Sequence, residues 1–216
     1  MAVMSQRYDC ADRQDRATGI AAATSAIRRG ALVVLPTDSA YAVACDAFRT
    51  SATAALREAK GRAADTALPV LIAAPNVVDA LTYGLPQIAR DLAAALWPGP
   101  LTLIAAQQPS LAWDVDGSKS VGVRMPLHPL ALELLAATGP LAATGANYAA
   151  MPVPLTCDDA QRQLGDAVAV YLDAGPLHGD RASAVVDVTT TPPQLLRAGS
   201  VPLDHLRGIC ADLVAE

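Results

Sequence analysis

Short apolar runs alternate along the chain with longer stretches whose apolar residues recur at helical spacing, the pattern of a mixed α/β domain. Over 18–29, alanines accompany Ile20 and Ile27 on one side and two arginines precede Gly30, so a helix is expected to end there with cations at its negative pole. Residues 31–35 are uniformly apolar and stop at Pro36, as in a strand buried on both faces. Thr37, Asp38 and Ser39 then fall at the strand's C-terminal end, where open α/β sheets place ligands. Ser51 opens a second helix over 51–59, which closes before Lys60-Gly61-Arg62.

A strand is expected over 68–73, then helical patterns over 76–81 and 86–96. Trp97-Pro98-Gly99-Pro100 enforces a turn, after which the strand pattern resumes over 101–105. Residues 110–119 read as a surface loop, 121–125 as a strand, and 129–138 as a helix with proline in its first turn and Gly139 at its end. The small-residue loop 144–154 leads to Thr156, which with Asp159 resembles a capping box and starts a helix running to Leu164. Strands over 167–172, 184–188 and 194–196 complete the sheet, and no internal repeat or low-complexity linker divides it.

Composition narrows this picture. With 216 residues, 52% of them hydrophobic and only one Phe, the chain can bury the core of one large domain built from closely packed aliphatic helices and strands. A net charge of -5 argues against holding nucleic acid by phosphate neutralisation across the whole surface. The four cysteines, Cys10, Cys45, Cys157 and Cys210, have no paired spacing and read as reduced thiols rather than a disulfide framework or zinc site. Residues 1–16 mix Arg with Asp and lack a signal-peptide core, and no apolar run approaches the roughly 20 residues of a membrane span, so a cytoplasmic protein without membrane contact is expected.

Familiar catalytic signatures are absent: there is no G-x-x-x-x-G-K-S/T loop, no G-x-G-x-x-G after a strand and no G-x-S-x-G elbow. His128, His178 and His205 are isolated from one another and from acidic partners at metal spacing, so no metal site is expected, and His128 before Pro129 fits a helix cap. What remains is a set of polar and cationic residues where elements end: Thr37, Lys60, Arg62, Ser120, Arg124, Asn147, Ser183 and Arg197. Each also has a structural reading: Lys60 as a solvated helix-end charge, Arg124 as an ion-pair partner, Ser183 as a turn residue.

Taken in order, the stretches around these residues resemble the YrdC-like family of L-threonylcarbamoyladenylate synthases. Leu35-Pro36-Thr37-Asp38-Ser39-Ala40-Tyr41 is similar to its P-T-D/E-T-x-Y segment, Ala59-Lys60-Gly61-Arg62 to its A-K-x-R motif, and Trp97-Pro98-Gly99-Pro100-Leu101-Thr102 to its W-P-G-P-L-T run. Val123-Arg124-Met125-Pro126-Leu127-His128-Pro129 resembles V-R-x-P-x-H-P. Asn147 falls in the S-x-N loop, Ser183 with Val185-Val186-Asp187 in the S-T-V-V-D strand, and Leu196-Arg197-Ala198-Gly199 in the L-R-P-G ending. The resemblance runs over 18–202, leaving 1–17 as an N-terminal extension and 203–216 as a short tail.

The resemblance implies a single-domain fold with a twisted mixed sheet flanked by helices. It also implies condensation of L-threonine, bicarbonate and ATP into threonylcarbamoyl-AMP and pyrophosphate, with Mg2+ accompanying the nucleotide. A downstream threonylcarbamoyl-transferase complex, and weak RNA binding, would be its further partners. Such a reaction needs positioning and positive charge rather than a protein nucleophile. By resemblance, Lys60 and Arg62 are the catalytic cations, and with Arg197 they hold the triphosphate. Ser120 and Asn147 face the nucleotide, Arg124 pairs with the threonine carboxylate, and Thr37 and Ser183 touch the amino acid.

The chain departs from the family at Gly145, where S-x-N has its serine, and at Thr66, Ala149-Ala150, Val153 and Ala184. Losing a hydrogen bond to a charged group costs roughly 1.5–3 kcal/mol. Glycine, in return, lets backbone N–H groups approach an anion. Three readings stay open: the threonylcarbamoyl-AMP synthase, a relative forming another carbamoyl-adenylate, and a non-catalytic nucleotide- or RNA-binding module.

Overall fold

Residues 5–17 are built into the domain. In the computed structural model, which describes residues 5–115, 119–179 and 182–215, Gln6–Asp9 forms an edge strand, β1. The Asp12 carboxylate then accepts from the backbone N–H groups of Gln14 and Asp15 at 2.8 and 2.9 Å. That cap starts α1 (Arg13–Arg28) ahead of the expected position. The mixture of Arg and Asp that reads as an N-terminal extension therefore includes a helix cap and a first turn.

Downstream lie β2 (Leu32–Pro36), β3 (Tyr41–Asp46), α2 (Thr50–Ala59), β4 (Val70–Leu71), α3 (Val78–Leu81), α4 (Gln87–Leu96), β5 (Leu101–Ala106) and β6 (Ser120–Arg124). There follow α5 (Pro129–Thr138), β7 (Leu141–Gly145), α6 (Cys157–Leu164), β8 (Val168–Asp173), β9 (Ala184–Asp187), β10 (Gln194–Arg197), α7 (Leu203–Ile209) and β11 (Val214–Ala215). The pattern did not anticipate β1, β3, β7 or β11. β3 and β7 are rich in alanine, which carries little strand signal by itself, and they form because each pairs antiparallel along its length with a neighbour. In place of the expected tail, β11 pairs with β10 and α7 buries Leu206.

Among the described residues the strands form one mixed sheet in the order β1-β8-β2-β3-β7-β4-β6-β5-β9-β10-β11. Side chains alternate between its faces. Leu101, Leu103, Val121, Val123, Ala142 and Val186 point to the face whose core includes residues of α2, α4, α6 and α7. On the other face, Val33, Leu35, Leu141, Val170 and Leu172 meet Ala23, Ile27, Leu130 and Leu134 of α1 and α5. These two helices cover the part of that face built from β8, β2, β3 and the start of β7. Where the face continues over β6, β5 and β9, it is lined by Gly122, Thr102, Ile104 and Val185 and opens into a cavity.

The expected loop at 110–119 is partly anchored: Val115 is fully buried, and Arg57 reaches Asp114 Oδ2 at 2.9 Å. Residues 116–118 of that loop, 1–4 of the expected extension and 216 of the expected tail lie outside the described residues. The four cysteines are unpaired and buried. No helix among the described residues is long and apolar enough to cross a membrane.

Candidate functional site

The cavity has a volume of about 540 Å3, within the range of small-molecule sites. Its floor is the sheet, and its sides are the 37–42 turn, the 143–155 segment, the chain before β4, and Gly179, Ala182 and Ser183 with Arg197. Thr37, Arg62, Arg124, Asn147, Ser183 and Arg197 line it together. Six of the eight residues singled out in the sequence thus converge, although they come from separate elements.

Arg124 ends β6 facing the cavity and is 8% exposed. Nη2 meets both Asp38 oxygens at 2.7 Å, Nη1 donates to Ser39 Oγ at 3.1 Å, and Nε donates to Gly99 O at 3.2 Å. Every nitrogen of the guanidinium already has a protein partner. A carboxylate arriving here would find the fork occupied unless it displaced Asp38. Burial lowers the pKa of Arg124, and Asp38 opposes that shift. Asp38 also accepts from Leu127 N at 2.9 Å, so this ion pair fastens the 37–40 turn to the end of β6. Within the turn, Thr37 Oγ1 donates to Ala40 O at 2.6 Å.

At the other side of the floor, Arg197 donates from Nε to Ser183 O at 2.9 Å and from Nη2 to Ser183 Oγ at 3.0 Å. Ser183 Oγ also lies 2.9 Å from Thr102 Oγ1. Burial and the nearby charge of Arg124 lower the pKa of Arg197, so these two cations feel each other across the cavity. Nη1 of Arg197 has no partner among the described residues. Arg62, half-buried just beyond α2, makes no side-chain hydrogen bond or ion pair with them. Among the described residues, it and Arg197 are the cavity's cations with a guanidinium nitrogen that has no partner.

Two expectations need correcting in their geometry. Lys60 is 0% exposed and does not line the cavity. Its ammonium donates to the carbonyls of Gly145 and Asn147 and to Asn147 Oδ1 at 2.9 Å, which uses all three N–H groups. Burial and the charge of Arg62 push it down to about 7. Ser120 lies on the same face of β6 as Gly122 and Arg124 but outside the lining residues. Asn147 does line the cavity, yet its amide is spent on its own loop, donating to Tyr148 O at 3.0 Å and Met151 O at 2.8 Å.

Gly145 is explained by its neighbours. A Cβ there would stand 2.9 Å from Asn147 Oδ1 and 3.2 Å from Val153 Cγ1, so the glycine and the valine at 153 fit each other. Sequence reasoning gave no role to Tyr41 or Thr102, and placed Ser39 only among the polar residues that follow β2. The Tyr41 backbone binds Pro154 O and Ala146 N, at 3.0 and 2.9 Å, and so ties both ends of the 146–154 loop to β3. Its hydroxyl donates to Gly175 O at 2.7 Å. A signal for Thr102 was present: it is the lone hydroxyl in an otherwise apolar strand run, and buried hydroxyls have partners. His128 takes the expected N-cap position of α5, but its side chain makes no capping bond.

The chain is similar in sequence and fold to known proteins. The family model for Sua5, YciO and YrdC, described as Telomere recombination, matches residues 25–199. A Mycobacterium tuberculosis protein named as a candidate threonylcarbamoyl-AMP synthase is 46% identical over 204 residues, 94% of each chain. The Bacillus subtilis threonylcarbamoyl-AMP synthase is 35% identical over 88% of this chain, which spans 56% of that protein. The crystal structure of Pyrococcus abyssi Sua5 complexed with L-threonine superposes with a TM-score of 0.89 and 31% identity, over 100% of this chain and 63% of that one.

Proposed function

The chain belongs to the Sua5/YciO/YrdC family, and we propose that it condenses L-threonine, bicarbonate and ATP into L-threonylcarbamoyl-AMP and pyrophosphate, the first step of threonylcarbamoyl modification of transfer RNA. The observation that carries this reading is the convergence of Arg62 and Arg197, both with N–H groups to spare, on a cavity that also holds Arg124, Thr37 and Ser183. The threonine amine attacks the carbon of bicarbonate and water leaves. An oxygen of the resulting carbamate attacks the α-phosphorus, the bond to the bridging oxygen breaks, and pyrophosphate departs. No protein nucleophile is needed; the protein supplies alignment and positive charge where the leaving group gains negative charge.

Arg62 and the Nη1 side of Arg197 hold the phosphate oxygens, for which the guanidinium fork is suited. Ser183, held between Thr102 and Arg197, and the 37–40 turn, held by Arg124, shape the amino-acid end. Asn147 lies toward the nucleotide, while Ser120, outside the cavity lining, takes no part in holding it. Among the described residues no three His, Cys, Asp or Glu side chains gather to hold a metal, and Asp38 is committed to Arg124. The residues therefore suit a magnesium ion carried in on the phosphates, with oxygen ligands from substrate and water, rather than a protein cage. A downstream transferase takes the product to RNA.

The test is pyrophosphate release with each substrate omitted in turn, and detection of the carbamoyl-adenylate by mass spectrometry. Release that needs threonine, bicarbonate and ATP together supports the reading; release indifferent to threonine overturns it. One observation favours a second reading, a relative that activates another amine: Val153 and Gly145 present an apolar, close-fitting wall where the family carries hydroxyls. Stronger release with an amine other than threonine in the same assay would establish that reading.

A further inference from the structure

A line of hydrogen bonds leads from the edge strand β1 to the cavity. Arg7 of β1 is paired with Tyr171 of β8, and its Nε and Nη2 donate to Asp173 Oδ2 at 3.1 and 2.6 Å, while Nη1 pairs with Asp158 of α6. The second Asp173 oxygen, Oδ1, accepts from Gly175 N at 2.9 Å and lies 3.1 Å from the Tyr41 hydroxyl. Burial alone would raise the pKa of Asp173, but Arg7 and the Gly175 N–H hold it below the ordinary carboxylate range. The Tyr41 hydroxyl accepts from Ala174 N at 2.9 Å and has a single proton, for which Gly175 O and Asp173 Oδ1 compete. Past Gly175 the chain reaches two walls of the cavity. Leu177 N donates to Leu155 O at 2.8 Å, and the Gly179 backbone lies directly on Ser39 O, where a Cβ would find no room. Leu155, Ser39 and Gly179 all line the cavity.

We propose that Arg7 is a positioning residue for the amino-acid end of the site, acting through Asp173 and Tyr41 on the segment 174–179. The inference rests on the reading that the cavity takes threonine beside the 37–40 turn. By satisfying the Asp173 carboxylate, Arg7 leaves the Tyr41 proton to Gly175 O, 2.7 Å away. Without the guanidinium, Asp173 is a largely buried carboxylate short of donors, and the Tyr41 hydroxyl stands close enough to supply one. Gly175 O then loses its donor, the segment is released at its start, and its hold on Leu155 and Ser39 slackens. Arg197 donates to Ser183 and not to 174–179, so the phosphate end keeps its geometry. β1 thereby acquires a task in the site beyond closing the edge of the sheet.

The experiment is steady-state pyrophosphate release by the full chain, with threonine and ATP varied separately. It compares wild type with Arg7→Met, Tyr41→Phe, the double variant Arg7→Met/Tyr41→Phe and Asp158→Ala, each checked for folding by circular dichroism. Arg7→Met is expected to raise the KM for threonine about tenfold, with kcat and the KM for ATP within about twofold of wild type. Tyr41→Phe should do the same, and the double variant should be no weaker than either single one, because both break the bond to Gly175 O. Asp158→Ala removes the exposed partner of Arg7 and leaves Asp173 alone, so its KM values should match wild type. An unchanged threonine KM in Arg7→Met overturns the inference and leaves the proposed function standing. So does an equal rise for both substrates, a double variant whose loss is the product of the two single losses, or an Asp158→Ala as weak as Arg7→Met. If Arg7→Met fails to fold, Tyr41→Phe decides: a wild-type threonine KM there overturns the inference as well. Release by the wild type that is indifferent to threonine overturns the proposed function itself, and this inference with it.

Discussion

Beneath α1 and α5 the sheet presents Val33, Leu35, Leu141, Val170 and Leu172, while farther along the same face it presents Gly122, Thr102, Arg124 and Val185 with no helix above them. Both regions obey the same two-residue alternation. They differ in side-chain size and in what the polar atoms bind. Where a helix lands, branched aliphatic residues fill the space; where none lands, small residues keep the floor low and two arginines reach over it. The site is made by leaving half of one sheet face uncovered and bracing its edges with Asp38–Arg124, Ser183–Arg197 and Lys60–Asn147. Stability should therefore reside in one half and substrate affinity in the other.

The largest expected effect comes from the covered half. Leu134 is fully buried between α5 and the sheet, and Leu134→Ala should cost about 2–5 kcal/mol of unfolding free energy in urea titrations. Pyrophosphate release per folded molecule should stay within about twofold of wild type. A parallel collapse of activity at temperatures where the variant remains folded would show that the two halves are not separable. Arg62→Ala makes the reciprocal change. Removing its phosphate contacts should cost about 2–3 kcal/mol in kcat/KM, roughly 30- to 150-fold, with unfolding free energy changed by less than about 0.5 kcal/mol.

The contrast also marks what a reader of the sequence can see. The covered half announces itself, because α5 begins at Pro129 and ends at Gly139 and β2 is an unbroken apolar run, and those signals are local. β3 and β7 escape notice because Ala-rich segments become strands only when a partner strand arrives. The residues that converge on the cavity could be named from motif order, but their partners could not. Nothing in the spacing says that Asp38 will occupy Arg124 across eighty-odd residues of chain, or that Lys60 will turn inward to a loop rather than outward to a ligand. Those outcomes depend on which hydrogen-bonding groups are left over once the sheet has formed, a tertiary fact.

A smaller effect is expected at the wall. Gly145→Ala places a methyl against Asn147 Oδ1 and Val153, and should cost about 1–2 kcal/mol by overpacking, read as a lower midpoint in urea. Val153→Ala in the same protein should return part of it, since the 3.2 Å approach is then relieved while the contact with Asn147 remains. No recovery would mean that Asn147, and with it the Lys60 bond, carries the whole cost.

The last effect concerns the charge of Lys60 and is read as a slope against pH. Burial and Arg62 push its pKa down to about 7, whereas an unfolded lysine titrates near its usual value of roughly 10.4. Between those two values the unfolded chain binds more protons than the folded one, so stability rises with pH across that window. The cost of burying the ammonium is accordingly present in full below the lower value. Lys60→Met has no such titration. Urea unfolding at increasing pH from 7 to 9 should therefore move the difference between the two proteins in favour of the wild type. A difference that stays flat would mean that Gly145 O, Asn147 O and Asn147 Oδ1 keep the ammonium charged throughout, and that the wall beside Arg62 is held by three bonds at every pH at which the enzyme works.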